Sequence, residues 1–476
     1  MNALRWIRDQ VQGDSTKARN GMVPRFGTDD RGSVLIIFSI SIFVIFSIVG
    51  GAVDYGRAIL ARERLQSAVD SSVLAAARVW QLENDLSLAQ EKAETHFAIN
   101  KPEDVQARVI SFTPNLQAST FSMDAEGHVR TPFWHLIKPN GMIISARAEA
   151  QIGGDNAGTH LEVSLMLDVT GSMAGSKLVD LKAAAKDLID IVIWSDQSKF
   201  SSRVALAPFS SAVNAGTVLG PKITATTPAN LKFSLRSGGS PTRHKTEHFC
   251  LSERTGVNAF TDAAPIGGDV IPRIYQKGMG TGCLPSATVV PLTSNKNSLK
   301  AVVDSFKAEG MTAGHLGTVW SWYLLSPNWA DVLPTDGKPL PYSVLTQVGV
   351  KGQPLLKKIA VLMTDGEYNF QYCNSSTPTI AGVSMQDYST DTNGASCNSP
   401  NGTSTFQARK MCGAMKAAGI TIYTVGFGLG QSGSPVTTLR GCASEPHMFY
   451  NAQSGDELRN AFRHIATSIS SPILSR

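Results

Sequence analysis

Leu161-Glu162-Val163-Ser164-Leu165-Met166-Leu167-Asp168-Val169-Thr170-Gly171-Ser172 passes from an apolar run into three oxygen-bearing side chains at alternate positions. The run reads as a buried strand, so Asp168, Thr170 and Ser172 stand just past a strand end. A strand-to-loop turn there points all three at one spot. One carboxylate and two hydroxyls make a hard-oxygen half-shell, which suits Mg²⁺ or Mn²⁺ and not a soft metal. Ligands of open parallel sheets bind at the carboxyl ends of the strands, where this motif falls. Taken alone, the spacing also fits a capped turn before a helix, since Asp, Ser and Thr serve as N-caps.

Two later segments complete the shell. Gly310-Met311-Thr312-Ala313-Gly314 offers another hydroxyl, ahead of a helical stretch from about His315 to Leu325. Lys358-Ile359-Ala360-Val361-Leu362-Met363-Thr364-Asp365-Gly366-Glu367 is a second apolar strand that ends in a carboxylate. Two strand-end carboxylates with a Gly-x-Thr between them point to a metal site. Glu367 falls at the rim of that site or in a solvated loop.

Asp168-x-Thr170-x-Ser172, then Thr312, then Asp365 in Thr-Asp-Gly, resembles the metal-ion-dependent adhesion site of von Willebrand factor A domains. The usual first motif is Asp-x-Ser-x-Ser, and Thr170 keeps the hydroxyl. The resemblance implies that Thr170 and Ser172 coordinate the ion, that Thr312 binds it directly or through water, and that Asp168 and Asp365 neutralise it, often through water. It further implies an open position for a carboxylate of a partner protein, hence metal-bridged and non-catalytic adhesion. A hydroxyl-rich small shell favours Mg²⁺.

The 476 residues allow two to four structural units, and 42% hydrophobic against 17% charged residues provides for sizeable cores. The net charge of +5 is dispersed, with no aromatic-basic motif of a nucleic-acid surface. Val34 to Val53 is an uncharged run of 20 residues. At about 1.5 Å per residue it spans about 30 Å, the hydrocarbon thickness of a bilayer. A soluble helix of this length would show a polar face. The apolar core of a cleaved signal peptide is shorter, typically ~7–15 residues. The run therefore reads as one uncleaved transmembrane anchor. Basic residues precede and follow it, with a weak bias toward an inside N-terminus. All six cysteines (Cys250, Cys283, Cys373, Cys397, Cys412 and Cys442) follow the span, without CxxC spacing. Disulfides in an oxidising compartment are the natural reading, which puts the C-terminal part outside the inner membrane; reduced buried thiols are the alternative.

The expected organisation is a polar cytoplasmic tail over 1–33, the span over 34–53, and membrane-proximal helices over 54–100. A small β-rich unit follows over 101–157, with strands near 107–112 and 142–150. From 158 to 476, alternating strands and helices imply a doubly wound α/β domain with a parallel sheet covered on both faces. Residues 211–295 and 367–402 are rich in Gly, Ser, Thr and Pro and read as two long insertions. The proposed disulfides are Cys412–Cys442, from the helix before strand Ile420–Phe427 to the turn after it, with Cys250–Cys283 and Cys373–Cys397 stapling the insertions. This is one of fifteen pairings.

Arg31-Gly32, the span, then Val53-Asp54-Tyr55-Gly56-Arg57 and Leu65-Gln66-Ser67-Ala68-Val69-Asp70 is similar to the N-terminal region of TadE/TadG-like proteins of the tight-adherence (Tad, or Flp) pilus system of bacteria. Gly441-Cys442-Ala443-Ser444 and Met363-Thr364-Asp365-Gly366-Glu367 resemble the long TadG-like members with an A domain. This resemblance implies a single-pass inner-membrane anchor with a periplasmic C-terminal part, and a role in pilus assembly or surface attachment through a protein partner. Pilin-like members carry Glu five residues after the cleavage-site Gly, whereas that position after Gly32 is Ile37. A minor pilin is thus the second structural reading. An enzyme is the alternative of another class, but the chain has no Gly-x-Ser-x-Gly elbow, HExxH or P-loop. His244-x-x-x-His248-x-Cys250 lacks a second half for a metal site. His315 reads as a packed helix residue ahead of a base.

Overall fold

The computed structural model describes residues 32–83, 85–116, 120–133, 141–151, 158–224, 249–266, 269–273, 286–349, 352–372 and 399–470, with 232–233, 242–243, 283, 379–380, 383–384 and 473–474. The expected cytoplasmic tail up to residue 31 lies outside them, as do His244, His248 and the Cys373–Cys397 pair. By compactness the chain divides into residues 1–62 with 128–144, and residues 63–127 with 145–476.

One helix, α1 (Gly32–Glu83), carries the apolar run. It holds a stretch long and apolar enough to cross a membrane, beginning at Leu35, with a mean hydropathy of 2.6. Leu35, Phe38, Phe43, Phe46 and Ile48 are all exposed, as lipid-facing side chains would be. Two serines of this stretch satisfy their hydroxyls within the helix: Ser39 and Ser47 donate to the carbonyls of Leu35 and Phe43, each at 2.7 Å. Asp54 is buried, and its carboxylate accepts from Phe133 N at 2.8 Å.

Further along α1 the character changes. Leu65, Val69, Val73, Ala76 and Ala77 are buried, at the i, i+4 and i+8 spacing of one helix face. Helix α2 (Leu86–Asn100) begins where Asp85 accepts from the backbone of Ser87 and Leu88, an N-cap of the usual kind. Strands β1 (Val105–Asn115), β2 (Thr120–Val129) and β3 (Met142–Gln151) follow. Strand β2 escaped the sequence reading because Asp124, Glu126 and Gly127 are poor strand formers. It alternates all the same, and its buried Phe121 packs on Trp80 and Phe112. Two residues near the C-terminus, β10 (Ile473–Leu474), pair antiparallel with β3 and complete a four-stranded sheet in the order β1-β2-β3-β10.

The larger sheet holds β4 (His160–Asp168), β5 (Ser202–Phe209), β6 (Val290–Thr293), β7 (Leu356–Thr364), β8 (Thr421–Phe427) and β9 (Phe449–Ala452). Its order is β6-β5-β4-β7-β8-β9; only β6 runs antiparallel to its neighbour. Successive side chains of β4 serve opposite faces. Leu161, Val163, Leu165 and Leu167 join the core under α3 (Ser176–Val192), α5 (Lys296–Ser305) and α9 (Gly455–Ile469). Met166 joins the other core, with α4 (Gly216–Ile223), α6 (Gly314–Tyr323) and α7 (Ser404–Ala417). This is the doubly wound α/β architecture that the strand–helix alternation implies. Helix α8 (Ser434–Cys442) stands between β8 and β9, so Cys442 ends a helix and does not sit in a turn. Strand β6 lies inside the stretch 211–295 that its composition marks as an insertion; four residues, with a Pro among them, leave too short a pattern to read as an edge strand.

Among the described residues two disulfides form, Cys250–Cys283 and Cys412–Cys442. The second ties α7 to α8 across a sequence separation of 30. Cys412→Ala with Cys442→Ala should destabilise the chain by about 2–4 kcal/mol, read as a lower melting temperature in non-reducing buffer and a smaller further drop on adding reductant than the wild type shows.

At the end of the sheet away from the metal motif, the β4–β7 register sets Lys358 opposite Glu162. Both are fully buried. Lys358 Nζ pairs with Glu162 Oε2 and donates to the Leu325 carbonyl at 2.9 Å. Glu162 Oε1 accepts from Arg203 at 2.5 Å and from Leu340 N at 2.9 Å. Burial pulls the Lys358 ammonium below its ordinary pKa, against the opposing pull of Glu162.

Candidate metal centre

Strands β4 and β7 are neighbours, yet the chain leaves β4 for β5 on the other side. The crevice past their carboxyl ends is therefore a topological switch point, where doubly wound sheets bind ligands. Asp168 is the last residue of β4, and Asp365 directly follows β7.

The turn after β4 is built by Asp168 itself. Its Oδ1 accepts from Thr170 N at 2.9 Å and Thr170 Oγ1 at 2.6 Å, an Asx-type turn. Thr170 Oγ1 lies 3.0 Å from Ser172 Oγ, which donates to Asp365 Oδ1 at 2.6 Å. Asp168 Oδ2 accepts from Thr364 Oγ1 at 2.7 Å. Each hydroxyl gives its one proton to a carboxylate, so Thr170 Oγ1 and Ser172 Oγ meet with no proton between them, and Asp168, Thr170, Ser172 and Asp365 form one cluster of oxygens. Asp168, Thr170 and Asp365 are buried, whereas Ser172 is exposed and opens the cluster to solvent.

Thr312 arrives on a third loop, and the structure shows how that loop is held. Gly171 N donates to the Gly310 carbonyl at 2.9 Å, and Glu309 N to the Val169 carbonyl at 2.9 Å. A Cβ on Gly171 would sit 3.3 Å from that carbonyl, a tight contact that glycine avoids. Gly310 has φ +89°, in the left-handed region. Thr312 is buried, with its own N–H on Asn369 Oδ1 at 3.2 Å. Behind it, a Cβ on Gly317 would come 2.6 Å from the Phe209 ring; its absence lets α6 lie against β5. Glu367 is exposed beside the site.

Two residues that the sequence reading passed over belong here. Thr364 ties the two strand ends together. Lys177, in the first turn of α3, donates to Asp365 Oδ2 at 2.6 Å. The signal for Thr364 was its place at the strand's last position, next to Asp365; Lys177 looks like any helix lysine.

Electrostatics suit a cation. The Asp168 carboxyl is pushed up to about 6, first by burial and then by the Asp365 charge, against hydrogen bonds from Thr170 and Thr364. A divalent ion among these oxygens would relieve that repulsion, so the donor set fits a hard cation. Among the described residues no three His, Cys, Asp or Glu side chains converge; this constellation is two carboxylates and hydroxyls.

A second polar cluster contains catalytic residue types. His315 reaches Ser404 Oγ through Nδ1 at 2.7 Å and Glu253 Oε2 through Nε2 at 2.6 Å. All three are sealed in the interior, and Glu253 also accepts from Tyr372 N, Ser399 and Gln407. A hydroxyl so enclosed reaches no substrate. The cluster anchors Glu253, from the first insertion, to α6, α7 and the end of the second insertion.

Residues 32–79 match the family described as putative Flp pilus-assembly TadE/G-like. No curated protein matches the sequence significantly. Among solved structures, the chain is similar to the von Willebrand factor domain of the type V pili tip protein Mfa5 from Porphyromonas gingivalis (14% identity, TM-score 0.37, 65% of this chain and 95% of that one). It is also similar to the pilus adhesin SpaC from Lactobacillus rhamnosus GG (13%, TM-score 0.35, 78% of this chain and 35% of that one). A third is proximal thread matrix protein 1 from the mussel byssus, with a zinc-occupied MIDAS motif (13%, TM-score 0.30, 66% of this chain and 48% of that one). The chain thus spans about a third of the SpaC chain and about half of the byssus chain.

Proposed function

We propose that this chain is an inner-membrane-anchored, periplasm-facing adhesion or scaffold protein of a Tad/Flp pilus assembly system. In this reading Asp168, Thr170, Ser172, Thr312 and Asp365 hold Mg²⁺ (or Mn²⁺), and the ion leaves one position for a carboxylate of a protein partner. The observation that carries the metal reading is the cluster of two strand-end carboxylates and two hydroxyls at the switch point, with the two hydroxyl oxygens 3.0 Å apart and both their protons given to the carboxylates, open at Ser172. The match of residues 32–79 to the TadE/G-like family and the exposed apolar part of α1 support the pilus and membrane parts. When bound, the ion would supply positive charge to a partner carboxylate. Thr170 and Ser172 would orient it, and buried Asp168 would hold the loop in shape through its Asx turn.

Full-length protein in detergent, wild type and Asp168→Ala, is used as bait against a cell-envelope extract, in Mg²⁺ and then in EDTA. A partner should be retained by wild type in Mg²⁺, released by EDTA and missed by the variant. Equal capture under all conditions would rule out metal-bridged adhesion. Protease added to spheroplasts should digest the chain beyond residue 54; protection of that part would reverse the orientation.

A further inference from the structure

Both oxygens of Asp365 are engaged. Oδ1 accepts the Ser172 hydroxyl, and Oδ2 pairs with the Lys177 ammonium at 2.6 Å. Among the described residues, Lys177 is the one side-chain cation paired with either site carboxylate. Its position is unusual for a lysine. The first turn of a helix already carries the positive end of the helix dipole, which disfavours a cation there. Asp365 offsets that cost, and the ammonium lies over the Phe427 ring, 6.0 Å from its centroid. The Asp365 side chain is fully buried, whereas that of Lys177 is 36% exposed. The ammonium therefore has an exit to water that the carboxylate lacks.

We propose that Lys177 is a tethered counter-ion of Asp365 that competes with the divalent ion, sets the metal affinity of the site, and swings to solvent when the ion arrives. This rests on the metal reading above. A divalent ion beside Ser172 and Asp365 brings a like charge to within a few ångströms of the ammonium, in a partly buried setting where screening is weak. Without the ion, Lys177 takes up part of the repulsion between Asp168 and Asp365. With it, the lysine becomes a mobile positive group at the rim, beside the position open to an acidic partner.

The test is calorimetric titration of full-length protein with MgCl₂ at constant ionic strength, with melting temperatures in EDTA and in Mg²⁺. Wild type is compared with Lys177→Met, Lys177→Gln and Lys177→Arg. Both neutral variants should bind Mg²⁺ about tenfold tighter or more, and melt lower than wild type in EDTA but not in Mg²⁺. Lys177→Arg should keep the wild-type affinity. Equal or weaker binding by both neutral variants, with wild type binding normally, overturns the counter-ion role and leaves the metal reading intact. Binding by the neutral variants alone would support it in its strongest form. If neither wild type nor the neutral variants take up the ion at millimolar concentration, the metal reading falls and this inference with it.

Discussion

Glu162→Ala should destabilise the chain by about 3–5 kcal/mol, the cost of leaving a buried charge without its partner. Lys358 is fully buried on the neighbouring strand, and burial already works against its charge. With Glu162 gone, Lys358 keeps the Leu325 carbonyl and the face of the Tyr342 ring but no countercharge, and the Leu340 N–H and the Arg203 guanidinium each lose an acceptor. The segment after α6 that these bonds pin to the sheet would loosen with them. Glu162 stands on the strand that ends at Asp168 and Lys358 on the strand that leads to Asp365, so the pair also locks the register that brings the two site carboxylates together. A melting curve followed by circular dichroism should fall by several degrees. Glu162→Leu with Lys358→Met should recover most of the loss, because well-packed apolar side chains replace buried ion pairs at little cost. A Glu162→Ala protein that melts with the wild type would mean that the carboxylate is not what holds Lys358 in the core.

That pair also marks the limit of what the sequence discloses. Both strands read as apolar runs from their periodicity, and they are strands. The charged residue near the start of each gains its meaning only from the register, which no local pattern specifies. The same division holds at the site. Asp168, Thr170, Ser172 and Asp365 were legible because two strand-end carboxylates with a Gly-x-Thr between them are much rarer by chance than the alternate spacing alone, and the structure brings all four together in one cluster. Thr312 reads as a hydroxyl between glycines, and the structure fastens its loop to the Asp168 turn through Gly171 and Gly310. Lys177 was not legible, because its role depends on which carboxylate α3 faces. Glu253 was hidden for a similar reason: its partners come from residues 315 to 407, distant in sequence and brought together by tertiary packing. Strand β2 and helix α8 were missed through weak local propensity, which packing overrides.

Magnesium affinity should rise steeply with pH up to about 6 and then level off. Asp168 governs this, with its carboxyl raised from 3.8 to about 6, chiefly by burial and next by the charge of Asp365. Thr170 and Thr364 donate to it, Tyr368 lies within its field, and Lys177 reaches it only through Asp365. A raised folded pKa means that the native state holds this proton more tightly than the unfolded chain does. Stability from that proton is full below about 4 and is lost as pH rises through about 6, at a cost of up to about 3 kcal/mol at neutral pH without metal. An ion needs the carboxylate, so proton and metal compete. The dissociation constant should fall by up to about tenfold per pH unit below 6 and change little above. Melting temperatures between pH 5 and 8, in EDTA and in Mg²⁺, read this as a difference between wild type and Asp168→Asn. The difference is needed because His160, held below its usual pKa mainly by burial, loses stability in the opposite direction, as pH falls. In EDTA the wild type should lose ground to Asp168→Asn as pH rises from 5 to 7, and Mg²⁺ should restore it while leaving the variant unchanged. A metal-free wild type that gains on the variant over that interval would show that Asp168 is comfortable as an anion, and that the site has no unmet need for a cation.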